Sequence, residues 1–434
     1  MRLNYIAAAF AFSLGAVALA VSAEGFDTSR EETFRQLELF GDVLSRIEND
    51  YVTEVDDAAL IEAAIEGMLE SLDPHSSYMN PDSFRDMQVT TRGEYGGLGM
   101  EVTIRDEMVT VISPFEDTPA ERAGMEPGDH IIAVDGESII GFSLTDAVEM
   151  MRGAVGEPVT ITILRGEEDP FELNLVRDTI PLRSVAWREE EGFAYLRVAG
   201  FNEHTTEMLL NAIGEINETY EGQVPGIILD MRFNPGGLLD QAIGVSEAFL
   251  DGGEVVSTRY RNPGENQRYN ARPGDLLGGA PIVVLINEGS ASAAEIVAGA
   301  LQDRERATLV GRTSFGKGSV QSIIPLRGGR DGALRLTTGR YYTPSGRSIQ
   351  GTGIAPDWFV ASRRIDPEDD DNRVSEADLP NALENEAGAE REAAEIAIIE
   401  QPPEDWVETE DFQLHRALEI LRSSAEREQA ALTR

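Results

Sequence analysis

The chain has 434 residues, with 78 Asp and Glu against 36 Lys and Arg, a formal charge of −42 and no cysteine. A charge of that sign repels nucleic-acid phosphates, and the missing cysteine removes disulfides, thiol nucleophiles and Cys-ligated metals. The length is enough for two or three domains around a real core.

Met1 to Ala23 carries one Arg, then an apolar run from Ile6 to Val21 that ends in Val21-Ser22-Ala23. This predicts a secretory signal peptide over residues 1–23, cleaved before Glu24; the alternative is a retained membrane anchor, for which the run is short. No Cys stands before the cleavage point, which excludes a lipoprotein anchor. Export without disulfides is compatible with a bacterial periplasm, membrane-associated if the signal is not cleaved. Residues 24–88 show helical periodicity in Phe34, Leu37, Phe40, Val43, Leu44 and Ile47, and again in Leu60, Ala64, Ile65, Met68 and Leu72. Two amphipathic helices are expected, followed by the turn Leu72-Asp73-Pro74-His75-Ser76. The four histidines, His75, His130, His204 and His415, have no metal-type spacing, and none stands out for a catalytic triad. His75 reads as structural.

Residues 89–177 change to short strands: 100–104, 108–112, 130–134, 159–164 and 171–176, with a brief helix near Ala120 and a longer one from Leu144 to Met151. The loop Tyr95-Gly96-Gly97-Leu98-Gly99-Met100 and the turn Glu126-Pro127-Gly128-Asp129 together resemble those of a PDZ domain. The resemblance implies that amides of Gly97, Leu98, Gly99 and Met100 receive a peptide's terminal carboxylate. The peptide would add as a strand beside Met100 to Ile104. Leu144 and Val148 stand at helical spacing, toward the groove or the core.

Residues 178–362 alternate strands and helices and predict a layered α/β domain with strands at least partly parallel. Its turn Asp230-Met231-Arg232-Phe233-Asn234-Pro235-Gly236-Gly237 joins a strand to a helix. Such a turn can bind phosphate, supply an oxyanion hole or simply reverse the chain; no Gly-Lys-Ser/Thr follows, so it is not a P-loop. Further on, the apolar run Pro281 to Ile286 leads through Asn287-Glu288-Gly289 into Ser290-Ala291-Ser292-Ala293-Ala294-Glu295. This reads as a buried strand, a tight turn and a helix opened by small residues. Ser and Ala there are ordinary capping and packing, or else a serine hydroxyl beside unpaired helix amides. Lys317 shifts the weight without settling it: it is the single lysine of the chain. Arg cannot lose its proton near neutral pH, whereas a Lys in an apolar pocket can, and then serves as a general base. Serine turn and lone lysine together suggest a Ser-Lys protease centre. Residues 363–411 are strongly acidic and predict a solvated linker. Phe412, Leu414, Leu418 and Leu421 then predict a short amphipathic helix, within residues 412–434, that docks back.

The run Gly289 to Glu295, Phe315-Gly316-Lys317-Gly318, Gln321, Tyr342-Thr343-Pro344-Ser345-Gly346-Arg347 and the stretch Gly351 to Asp357 resemble the signature of the C-terminal processing peptidases, or tail-specific proteases. The resemblance spans about residues 34–360 and includes the N-terminal helices, which in that family often mediate dimer contacts. It implies an α/β layered protease core with an inserted PDZ domain and an N-terminal helical region. Ser292 is then the nucleophile, Lys317 the base and Gln321 the residue that orients the lysine amine. Backbone amides of Gly236 and Ala293 form the oxyanion hole. Lys317 and Gln321 would share a face if their segment is helical. Phe233 stands where the family often has Asn, which leaves the glycines untouched. The implied substrates are proteins with unstructured C-termini, cut near their tails. A homo-oligomer and an adaptor protein are further implied partners, and no cofactor or metal is implied. Two other functions fit parts of the sequence: a non-catalytic periplasmic PDZ or ligand-binding protein on the same fold, and a Ser-His-Asp protease with an attached PDZ domain.

Overall fold

The computed structural model describes residues 30–432 except 106, 167, 365–373, 387–399 and 408–409. The signal-peptide reading of residues 1–23 lies outside them. Two compact units result, Met1–Ser71 and Leu72–Arg434. In the first, helices occupy residues 30–50 and Asp57–Glu70, the second opened by Asp56, whose side chain accepts the Ala58 amide at 2.9 Å. The apolar stripe of the first helix is open to solvent, with Phe34, Leu37, Phe40 and Val43 all exposed.

The second unit is built on a six-stranded sheet ordered Val185–Glu190, Phe193–Val198, Ile227–Asp230, Ile282–Ile286, Thr308–Gly311 and Trp358–Phe359. The first pair is antiparallel and every later pair parallel. Continuous apolar runs such as Ile-Val-Val-Leu-Ile suit strands covered on both faces. Alternate residues divide accordingly. Leu229, Val284 and Ile286 pack under helices Thr205–Thr219, Leu239–Phe249 and Ala293–Asp303. Ile228, Val283 and Leu285 pack on Phe412, Ala417, Leu418 and Leu421 of helix Phe412–Leu432. The terminal helix expected from the sequence therefore closes the second face of the core.

A five-stranded antiparallel sheet stands beside it. Ala333–Tyr342 runs through its centre, with Ser319–Pro325 along one edge and Ser77–Met79 and Gly253–Tyr260 along the other; Gln267–Ala271 lies outermost. The β-rich module has its own antiparallel sheet, Met100–Arg105, Met108–Pro114, His130–Val134, Pro158–Leu164 and Phe171–Val176, over the helix Leu144–Met151. The chain enters the module through Glu94–Gly97 and leaves through Asp178–Pro181, which pair as a two-stranded antiparallel ribbon. The fold class is the one expected, a layered α/β core with an inserted β-rich module and an N-terminal helical region.

One stretch differs from its sequence reading. Within the acidic residues 363–411, the segment 374–386 is folded onto the core, and Glu376 is fully buried. Composition predicts solvation from net charge. Here a single carboxylate finds partners instead: His75 Nε2 lies 2.7 Å from Glu376 Oε2, and Gln350 Nε2 donates to Oε1 at 2.8 Å. Paired in this way, a charge can be buried.

Candidate active site

Ile227–Asp230 and Ile282–Ile286 are neighbouring parallel strands in register, with Asp230 opposite Leu285. The turns that leave their carboxyl ends meet, as is usual for sites in such sheets. Ala291 N–H donates to Asn234 O at 2.9 Å, and Ser290 Oγ donates to Met231 O at 2.8 Å. Ser290 also accepts the Asn287 amide at 3.0 Å and is fully buried, so its hydroxyl is committed to holding the two turns together.

Ser292 differs on each count. It is the N-cap of helix Ala293–Asp303, with φ 54° and ψ −112°, and it lines a cavity of about 500 Å³. A non-glycine residue in that backbone region stores strain of about 1–3 kcal/mol, which the surroundings must offset. Gly236 shows how close they come: a Cβ there would lie 2.8 Å from Ser292 Cβ and 2.9 Å from the Ala293 nitrogen. At Gly237 a Cβ would lie 2.1 Å from Phe201 O. Both positions must be glycine.

Glu295, three residues into the same helix, is fully buried and has all its partners within this site. Its Oε2 accepts the amides of Ser292 at 2.7 Å and Lys317 at 2.9 Å; its Oε1 accepts Ser314 Oγ at 2.6 Å and Gly316 N–H at 2.7 Å. Burial pushes this carboxyl up to about 7, while the four donors pull the other way. The sequence shows Glu295 only as a helix residue at capping-box distance from Ser292, and that spacing is the signal that could have found it.

Lys317 is half-buried in the loop before strand Ser319–Pro325, and among the described residues its amine has no hydrogen-bond or ion-pair partner. Burial lowers its pKa from the ordinary value, and Arg335 acts in the same sense; Glu376, Glu295 and Asp73 oppose them. Ser292, Lys317, Gln321 and Gly236 all line the one cavity. None of the four histidines does.

One open condition is not met, and one local expectation needs revision. Lys317 and Gln321 do not share a helix. Gln321 lies on strand Ser319–Pro325 and Lys317 in the loop before it, with a register shift between Val320 and Gln321, and both residues line the cavity. Gln321 Nε2 donates to Ser319 Oγ at 2.9 Å and Thr337 Oγ1 at 3.2 Å, not to the lysine amine. Gly236 N–H donates to Asn234 Oδ1 at 2.9 Å and so is engaged. The amides of Gly237 and Ala293 donate to no acceptor among the described residues. Ala293 is at the helix N-terminus, where an unpaired amide is inherent.

In the inserted module, Met100–Arg105 is the edge strand of its sheet. Gly97, Leu98 and Gly99 are buried, and the amides of Leu98 and Gly99 have no acceptor among the described residues. The loop is held by its carbonyls: Leu98 O accepts Ala120 N–H, and Gly99 O accepts Phe115 N–H and Thr118 Oγ. Met100, Leu144 and Val148 are half-buried against the module core and face neither full solvent nor full burial.

Comparison with known proteins agrees with this layout. Residues 192–360 match the model of peptidase family S41, residues 110–165 that of a PDZ domain, and residues 8–83 that of an activating protease N-terminal domain, CtpB type. The chain is 48% identical over 408 residues to a carboxy-terminal-processing protease of Bartonella bacilliformis, covering 93% of this chain and 92% of that one. It is 39% identical over 307 residues to a carboxyl-terminal-processing protease of Synechocystis, covering 68% and 70%. Among solved structures, a photosystem II D1 C-terminal processing protease aligns over 80% of this chain and 98% of its own, at 27% identity and a TM-score of 0.43.

Proposed function

Because this chain belongs to the carboxy-terminal processing proteases of peptidase family S41, and is thus a serine peptidase carrying a PDZ domain, we propose that it cuts proteins near their C-termini with a Ser292–Lys317 dyad. The observation that carries the reading is Lys317: one half-buried amine, without a partner among the described residues, on the wall of the cavity that Ser292 lines. A neutral amine can take the Ser292 proton as Oγ attacks the scissile carbonyl carbon. The same proton then passes to the leaving amine as the C–N bond breaks. Water hydrolyses the acyl-enzyme by the reverse roles and regenerates Ser292. Ala293 N–H and Gly237 N–H are the donors suited to the oxyanion, each worth roughly 3–4 kcal/mol in such a role. Gly236 acts through its shape, by letting the two turns approach. Gln321 orients the lysine side of the cavity through Ser319 and Thr337.

Tail capture belongs to the inserted module, whose edge strand and Leu98 and Gly99 amides, unpaired among the described residues, suit an extended peptide ending in a carboxylate. The exposed stripe Phe34, Leu37, Phe40 and Val43 supports a homo-oligomer through the N-terminal helices. Export to the periplasm rests on the pattern of residues 1–23. The test of the reaction compares digestion of one unfolded polypeptide by the wild type, Ser292→Ala and Lys317→Arg. Cleavage by either variant at the wild-type rate overturns the dyad.

A further inference from the structure

The wall of the cavity carries two arginines that the reaction does not use, Arg183, which is exposed, and Arg335, which is half-buried. Arg335 lies on strand Ala333–Tyr342, opposite Ile323 on one side and Ser77 on the other. It lines the same cavity as Ser292 and Lys317. Its one polar contact among the described residues is a long one, 3.9 Å to Met79 Sδ, and sulfur is a weak acceptor. No carboxylate of the described residues pairs with it. In this chain that is unusual, since acids outnumber bases 78 to 36. Other half-buried arginines have taken an acid: Arg165 has Asp129, Arg232 has Asp230 and Arg306 has Asp275.

A half-buried guanidinium whose five donors meet only one weak acceptor among the described residues is costly to keep, and the cost is recovered when a matching acceptor arrives. A carboxylate matches the fork of a guanidinium with two parallel bonds. Register places the group. Gln321 pairs with Thr337 and Ile323 with Arg335, so Arg335 is one same-face step beyond Gln321, about 7 Å farther along the strand. A polypeptide threaded past Ser292 would present a residue near the scissile bond at this point.

We propose that Arg335 receives a carboxylate of the bound polypeptide, a few residues from the bond that is cut. The proposal rests on the reading of Ser292 and Lys317 as the reacting pair, and it adds a substrate class: chains with an acidic group at one fixed position. Against a protein field of net charge −42, such a group would otherwise be repelled.

The experiment uses peptides that differ only by Glu or Gln at one position, walked along both sides of the scissile bond, each as free acid and as amide. The measured quantity is the ratio of kcat/KM for the acidic and neutral members, taken within one enzyme so that a change in overall activity cancels. In the wild type one position should favour the acid by about tenfold, the scale of one charge-assisted hydrogen bond. Arg335→Gln should bring that ratio to near one. Arg335→Lys should keep a smaller preference, and Arg335→Glu should favour Gln over Glu at the same position. If Arg335→Gln fails to fold, as judged by its thermal melt, the Lys variant carries the test. A preference for Glu over Gln that depends on Arg335 identifies a side-chain carboxylate; one for free acid over amide that depends on Arg335 identifies the chain terminus. No acid preference at any position, or one unchanged in the Arg335 variants, overturns the proposal. Persistent cleavage by Ser292→Ala would instead overturn the reacting pair, and the ratios would still report on Arg335.

Discussion

Ser292 and Lys317 hang their backbone amides on one oxygen: Glu295 Oε2 accepts the first at 2.7 Å and the second at 2.9 Å. The turn that presents the hydroxyl and the loop that presents the amine are therefore fixed to a common point, although they come from different connections of the sheet. Proximity of reacting groups depends on such fixation, because small displacements weaken catalysis steeply.

Glu295→Gln tests this tie. Both carboxylate oxygens accept two donors, and an amide can offer only one oxygen. Two donors would then face an NH2 group, at about 1–3 kcal/mol for each one left unsatisfied. The variant should melt lower and lose most of its turnover. A variant that melts lower yet keeps wild-type kcat would mean that Glu295 supports the fold and leaves the reacting geometry alone. The buried acid also shapes stability against pH. Its folded pKa, about 7, lies above the ordinary value of 4.5. The folded state thus holds more protons than the unfolded chain between these values, and its contribution to stability falls as pH rises through that window. In Glu295→Gln this slope should disappear from the melting curve.

Lys317 has the opposite sign. Burial, with Arg335 in support, lowers the pKa of its amine against the pull of Glu376, Glu295 and Asp73. Below the ordinary value of 10.5 the folded state gives up this proton before the unfolded chain does, so its contribution to stability rises with pH over that interval. Turnover should rise over the same interval as neutral amine appears. Lys317→Met should be inactive and at least as stable as the parent, since it removes an unpaired amine from a half-buried site. Lys317→Arg should be equally inactive, because a guanidinium keeps its proton. Activity in the Arg variant would contradict the base assigned to Lys317.

Ser290 and Ser292 should separate cleanly. Ser290→Ala removes the bridge to Met231 O and the acceptor of the Asn287 amide, at about 1–3 kcal/mol for buried groups left unpaired. It should melt lower and still cleave. Ser292→Ala should cleave nothing measurable with little loss of stability. Thermal melts and digestion of the same unfolded polypeptide, run side by side, decide it; the reverse pattern would shift the register of the nucleophile.

Glu376 offers a finer test, because it comes from the acidic stretch. Its amide donates to Phe315 O at 3.0 Å, and Gln350, which donates to its carboxylate, also accepts Gly318 N–H at 3.1 Å. The lysine loop is thus held on both sides of Lys317. Glu376 also favours the Lys317 ammonium. Glu376→Gln keeps the shape and removes the charge, so the acid limb of the rate profile should move to lower pH. An unmoved limb would confine Glu376 to holding the loop.

Lys317 stood out in the sequence for a physical reason, because it breaks a compositional habit, whereas Ser292 was told from Ser290 only by the resemblance to the C-terminal processing peptidases. Lys317 is the single lysine of an arginine chain. Periodicity gave the layered core, since a strand buried on both faces has to be apolar throughout. What the sequence hid depends on long-range pairing. Glu376 looked like one acid among many, and only the arrival of His75 and Gln350 makes it a core residue. The element that carries Gln321 was left open, because nothing in residues 317–321 decides between helix and strand, and the structure shows a strand. The Gly236 amide could not be assigned without knowing that Asn234 Oδ1 had already claimed it.

The ribbon that carries the inserted module has a mechanical consequence. Its strands, Glu94–Gly97 and Asp178–Pro181, are the two covalent links between the module and the rest of the chain, and Leu182 N–H still holds Gly93 O at 2.7 Å where they part. One link grows out of helix Pro81–Arg92, whose Thr90 and Thr91 line the reaction cavity; the other runs directly into Leu182, which lines it too. A paired ribbon resists stretching and shear far better than it resists twist. A pull on the module is therefore carried through the ribbon to Thr90, Thr91 and Leu182 at the cavity, whereas a torsion is spent in the ribbon itself.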